Sequence, residues 1–183
     1  MSEKPGRYQR SAAGMVGALL VTVIAILGFV GLRALNRNDL EASPETVDYL
    51  EAVRNLQGAG RQVAYPPSLP GGWRVTSIDS VPGDHPVWGL GMLTDRGDFV
   101  GVRQEDESAD DLVEAYVDEE ATQGDPVSAP GSLAPSWETW TDQGGDVGYA
   151  ADVDGETVLV YGSAGVDDVR ELLERLTQDA LAG

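Results

Sequence analysis

The chain has 183 residues, a formal net charge of −19 and no cysteine. From Asn38 onward 30 acidic residues stand against 7 basic ones, a surplus that repels nucleic acid and anionic lipid headgroups as partners. Without thiols there are no disulfides, no thiol catalysis and no cysteine metal sites, so a domain built from this chain must rely on its hydrophobic core.

Residues 1–10 form a short basic tail carrying Lys4, Arg7 and Arg10. Residues 11–32 follow, 22 positions without a charge between Arg10 and Arg33. A helix of that length spans about 33 Å, enough for a hydrocarbon layer of about 30 Å. The run is apolar all round, and only Ser11, Thr22 and several glycines interrupt it. A cleaved signal would have a shorter apolar core and a small-x-small site, which Leu32-Arg33-Ala34-Leu35 does not offer. The expectation is one uncleaved transmembrane anchor. Three basic residues precede it against Arg33 and Arg37 after it, which places the N-terminus in the cytoplasm and the rest outside. The Gly14-to-Ala18 spacing matches a helix-dimer motif, but it reads more simply as the ordinary glycine content of a membrane helix.

Residues 33–42 read as a polar stalk, and residues 43–183 as one extracytoplasmic domain of ordinary size. Ser43-Pro44 opens a helix by capping and N1 preference, with Val47, Leu50, Val53 and Leu56 on one face and Gly58 and Gly60 as its stop. Residues 73–78 alternate as a strand, residues 87–94 form a second, and residues 99–104 a third, with Asp95-Arg96-Gly97-Asp98 as a hairpin turn. Ser108 caps a helix, with Asp111 as its capping-box partner and Leu112, Val113, Tyr116 and Val117 as the apolar face. Residues 124–135 read as a Pro/Gly/Ser loop. Strands are expected at 136–141, 147–153 and 157–162, the last two joined by Asp154-Gly155. A final helix is expected over 167–181, with Val169, Leu172, Leu173, Leu176 and Ala180 as its stripe. Short hairpin links require antiparallel neighbours, so the fold class is α+β: one N-terminal transmembrane helix, then an antiparallel sheet of about six strands with helices on one face.

Several stretches resemble one family. They are Arg7-Tyr8-Gln9-Arg10-Ser11 before Gly14-Met15-Val16, Val47-Asp48-Tyr49, Tyr65-Pro66, Leu69-Pro70-Gly71-Gly72-Trp73-Arg74-Val75-Thr76-Ser77, Trp88-Gly89-Leu90-Gly91, Val100-Gly101-Val102-Arg103-Gln104 and Trp137-Glu138. Together they resemble the actinobacterial family named domain of unknown function 4245, over nearly the whole chain. The resemblance implies a membrane-tethered actinobacterial protein and brings no catalytic residues. One lysine against eleven arginines fits the codon bias of a GC-rich genome. A looser resemblance links the expected domain to actinobacterial envelope lipoproteins related to photosystem oxygen-evolving subunits, which is a likeness of fold and gives no function.

No catalytic, cofactor-binding or metal-binding residue is assigned. His85 lies in Pro82-Gly83-Asp84-His85-Pro86, and the flanking turn residues mark an exposed loop rather than a base paired with Asp84 or a distant carboxylate. Gly162-Ser163-Ala164-Gly165 lacks the nucleophile-elbow spacing and reads as a strand end and helix start. Asp152, Asp154 and Glu156 suggest calcium but lack the full loop, and hairpin alternation explains their spacing. Glu105-Asp106-Glu107 and Asp118-Glu119-Glu120 read as solvated helix flanks. Trp73, Trp88, Trp137 and Trp140 read as core. Trp137 and Trp140 are at odd spacing, so one of them is open to an exposed role such as stacking on a sugar ring.

Two functional classes follow. The first is a binding or scaffolding role at the cell envelope with a protein partner. The second is a carboxylate-based hydrolase acting on envelope material, resting on acidic abundance alone. The topology has a direct test. A reporter active only outside the cytoplasm, fused after Gly183, is expected to be active, and activity only from a cytoplasmic reporter would reverse the orientation.

Overall fold

The computed structural model describes residues 47–181; the expected anchor (11–32), stalk (33–42) and Ser43-Pro44 helix start lie outside the described residues. Among the described residues no helix is long and apolar enough to cross a membrane. The elements are α1 (Tyr49–Gly58), β1 (Arg74–Val81), β2 (Val87–Leu93), β3 (Phe99–Glu105), α2 (Ala109–Tyr116), β4 (Thr122–Ser128), β5 (Ser136–Thr141), β6 (Val147–Val153), β7 (Glu156–Gly162) and α3 (Val166–Arg175). The seven strands form one sheet in the order β1-β2-β3-β7-β6-β5-β4, antiparallel throughout.

Local signals explain most boundaries. Asp154 (φ 56°) and Gly155 (φ 88°) both take positive φ, which gives the β6–β7 hairpin the turn twist that matches its strands. Thr94 Oγ1 accepts from the amides of Arg96 and Asp98 and closes the β2–β3 turn. Ser108 Oγ accepts from the Asp111 amide at 3.2 Å and donates to the Asp111 carboxylate at 2.6 Å, which starts α2 where the capping signal puts it. Gly162 ends β7 where the chain passes so close to the Phe99 carbonyl and Val100 Cα that a side chain would collide with backbone.

Four expectations are corrected. First, α1 starts at Tyr49, because the Asp48 side chain accepts from the Glu51 amide and caps it, while Val47 instead donates its N–H to the Val75 carbonyl. Second, the sheet has seven strands rather than about six. β4 overlaps the first part of the stretch read as a 124–135 loop and is an exposed edge strand without hydrophobic alternation. Its irregular register between Gly124 and Val127 absorbs Pro126, a residue that only an edge or a bulge accepts. Third, α3 ends at Arg175. Leu176 turns extended (φ −68°, ψ 139°), Thr177 pairs with Tyr65, and Ala180 lies outside the helix.

Fourth, the helices do not all share one face. Along β7, Val158 and Val160 join the main core with Val53 of α1 and with Val169, Leu172 and Leu173 of α3. The alternate residue Leu159 joins a second cluster with Leu112 and Val113 of α2, Trp140 and Ala150. Successive strand residues point to opposite faces, so α2 lies across the sheet from α1 and α3. That is why Trp137 and Trp140 face opposite ways and yet are both buried.

Leu173 is fully buried, whereas Glu174 is exposed and meets only Arg170, at 3.0 Å. Leu173→Ala should cost about 2–5 kcal/mol in urea unfolding and Leu173→Asp more, while Glu174→Ala should stay within about 0.5 kcal/mol. Equal losses at both positions would show that α3 does not close the core.

Candidate functional site

The second sheet face is covered unevenly. α2 sits over β6 and β7, and the described residues place no helix over β1 and β2 on that side. What lines this open half is set by strand alternation. In Trp88-Gly89-Leu90-Gly91-Met92 the large residues fill the main core and the glycines face outward. Gly91 pairs with Gly101 on β3, and Gly101 with Tyr161 on β7. The floor of this face is therefore backbone.

Neighbouring side chains lie down on that floor. A Cβ on Gly101 would sit 2.6 Å from the Tyr161 ring, and one on Gly89 would sit 2.9 Å from the Arg103 guanidinium. A Cβ on Gly91 would collide with Ser77 Oγ. Tyr161 packs edge-on to Phe99 at 5.7 Å and against Tyr116 at 5.6 Å. Arg103 stacks over the Tyr116 ring at 4.4 Å, pairs with Asp79 at 2.5 Å and approaches Glu105 at 3.8 Å. Tyr116 donates its hydroxyl to Glu105 at 2.9 Å. Between Ser77, Asp79, Phe99, Arg103 and Tyr161 a slot of about 60 Å³ remains, room for a few water molecules.

The electrostatics follow the packing. Burial works against the charge of Arg103, but its bond to Asp79 and the nearby Tyr116 and Tyr161 outweigh that and raise its pKa above the usual guanidinium value. Burial, with the bond to Glu105 behind it, pushes Tyr116 up to about 12. Tyr161 is raised by burial too, with Arg103 acting in the opposite sense. The face thus presents a fixed cation among carboxylates and neutral phenols.

The family model described as protein of unknown function DUF4245 matches residues 7–176. The chain belongs to this family. No curated protein matches it. Of the residues weighed in this DUF4245 protein's sequence, Glu105 reaches the open face: it ends β3 as a largely buried acceptor for Tyr116 and not as a solvated helix flank, while the others lie apart from that face. His85 is on an exposed loop, its Nδ1 3.6 Å from Asp106. Asp152 accepts from the Gly155 amide at 3.4 Å as part of the hairpin, while Glu156 turns away to Gln104 at 2.5 Å and Arg61 at 3.5 Å. Among the described residues no three potential metal ligands converge. Trp88, Trp137 and Trp140 are buried, and Trp73 is half-buried.

Reading the sequence did not single out Phe99, Arg103, Tyr116 or Tyr161 as a group. One signal was present: glycine at the alternate positions 89 and 91 of β2 marks a stretch of strand face stripped of side chains, where something must lie close.

Two measurements check this geometry. Gly101→Ala should destabilise the domain by about 1–3 kcal/mol through overpacking against Tyr161, and most of that loss should vanish in a Tyr161→Ala background. Tyr49, which donates its hydroxyl to the Pro66 carbonyl at 2.7 Å, is pushed up to about 12 by burial first, then by Tyr65 and Asp48. With Tyr116 also near 12, stability owed to the neutral phenols is complete below their ordinary value of about 10 and is lost as pH rises from there through about 12. Denaturant unfolding at constant ionic strength should show this fall, and Tyr116→Phe should flatten part of it.

Proposed function

We propose that this DUF4245 protein is a membrane-anchored extracytoplasmic binding or scaffolding domain that engages a protein partner at the cell envelope. The anchor and outward orientation rest on the uncharged run at 11–32 and its basic N-terminal flank. The observation that carries the binding role is the open half of the sheet, where aromatic rings and an arginine held between carboxylates lie flat on a glycine floor. Aromatic and arginine side chains immobilised before contact lose little entropy on binding and are the residue types that dominate interface energies. The slot itself is too small for a sugar ring, so a macromolecular surface suits this face better than a small ligand. A hydrolase reading would need two carboxylates facing a cleft. On the open face the two carboxylates, Asp79 and Glu105, are both engaged, Asp79 by Arg103 at 2.5 Å and Glu105 by the Tyr116 hydroxyl at 2.9 Å and Arg103 at 3.8 Å, so neither is left free to face a substrate.

A photo-crosslinker placed at Ser77, in the full chain in its native membrane, should give a discrete protein adduct. The same group at Glu174, exposed on α3, should not. Equal adducts from both positions, or none from Ser77, would remove the open face as the docking surface.

A further inference from the structure

Beyond α3 the chain runs back across the domain as an extended tail. Thr177 exchanges both backbone bonds with Tyr65, its N–H donating to the Tyr65 carbonyl at 2.9 Å and its carbonyl accepting from the Tyr65 amide at 3.0 Å. The Asp179 carbonyl accepts from the Tyr65 hydroxyl at 2.7 Å and from Gln57 Nε2 at 2.9 Å. The Leu181 amide donates to Gln57 Oε1 at 2.9 Å, and the Leu181 side chain packs at the edge of the main core. Tyr65 is 2% exposed, so its hydroxyl is a fixed donor beneath the tail.

These contacts fall on residues 177, 179 and 181, the every-second-residue rhythm of an added strand. All but one of them read backbone groups that any residue carries. Only Leu181 contributes a side chain. Beside the tail lie two open cavities that share Gln62, Gln178 and Ala180 in their lining, one of about 510 Å³ toward Gly131, Ser132 and Leu133 and one of about 210 Å³ toward Gly60 and Arg61. The tail lies in a shallow trough whose tail-facing polar groups come from Gln57 and Tyr65.

We infer that the trough built by Gln57 and Tyr65 is a binding site for an extended peptide of a partner protein, one with an aliphatic residue at the Leu181 position, and that residues 177–181 occupy it in cis. A tethered tail competes at an effective concentration in the millimolar range, so the intact chain masks the site until the tail lifts. The tail's hold is modest: a few hydrogen bonds with small net worth and one half-buried leucine. This surface is separate from the open sheet face, and neither reading depends on the other.

The test uses the full chain with Thr177→Pro and Leu181→Asp together, which remove the Tyr65-bound N–H and the apolar anchor. The probes are two labelled peptides, one with the sequence of residues 176–183 and one unrelated in sequence that keeps only its two leucines. Both should bind the loosened chain at least about tenfold more tightly than the unaltered one, and adding Gln57→Ala should cost about tenfold again. Binding of the own-sequence peptide alone, or of neither peptide to a variant that keeps its thermal transition, overturns the proposal. Hydrogen exchange on the unaltered chain gives a check that needs no variant. The amides of Thr177 and Leu181 should exchange well before those of α3, and equal protection would mean that the tail does not lift.

Discussion

The two hairpin-built halves of the sheet meet at one seam, the antiparallel pairing of β3 with β7 from Val100↔Gly162 to Glu105↔Thr157. Every other strand pair joins neighbours in sequence, so its loop closure is short and inexpensive. Among the strand pairs of the sheet this one alone brings together segments more than fifty residues apart, and both cores depend on it. On one side it sets Val102 beside Val160 under α1 and α3; on the other it sets Arg103 beside Leu159 and Gly101 beside Tyr161 under α2. A slip of one residue would exchange the two faces. Gly162 protects the register, since a side chain there would strike the Phe99 carbonyl.

Burying β7 on both faces has a consequence for the rest of the sheet. Three short helices cannot cover two faces of seven strands, and α2 covers the β5–β7 side and, through Tyr116, only the Arg103–Glu105 end of β3. On the uncovered side, exposed large apolar side chains would be an aggregation liability. The chain avoids them by using glycine at 89, 91 and 101 and laying Arg103, Ser77 and the Tyr161 ring over the bare backbone. The same arrangement leaves a flat, rigid surface of mixed polarity. Its stability and its capacity for recognition thus come from one packing solution.

Polar groups are used sparingly inside, and where they occur they tie loops to the sheet. Gln104, 1% exposed, accepts from the Ala64 amide at 2.7 Å and donates to the Gln62 carbonyl at 3.2 Å, while Trp88 Nε1 donates to the Ala64 carbonyl at 2.8 Å. These bonds hold the segment before β1 along the sheet, and that segment in turn carries Tyr65, which catches the C-terminal tail. Removing one buried partner would strand the other without water, so the network holds the segment in one position.

Local sequence determined the elements whose causes are local. The Ser108-Asp111 cap, the Asp154-Gly155 turn, the strands β2, β3, β6 and β7 and the Leu172-Leu173 stripe of α3 all read correctly, because capping, turn φ and short-range strand and helix patterns act within a few residues. Family membership was legible too, since the Leu-Pro-Gly-Gly-Trp-Arg and Gly-Val-Arg-Gln stretches are specific. Tertiary structure alone decided the rest. β4 exists because β5 offers it an edge, not because Thr122–Ser128 prefers to be extended. α3 stops at Arg175 because Tyr65, more than a hundred residues earlier, takes the Thr177 backbone groups that a helix would have used. The side on which α2 lies, and with it the open face of Arg103 and Tyr161, depends on which residues of β7 were already covered by α3. A helix stripe records that it will be buried, but the identity of its partner is set by contacts across the whole chain.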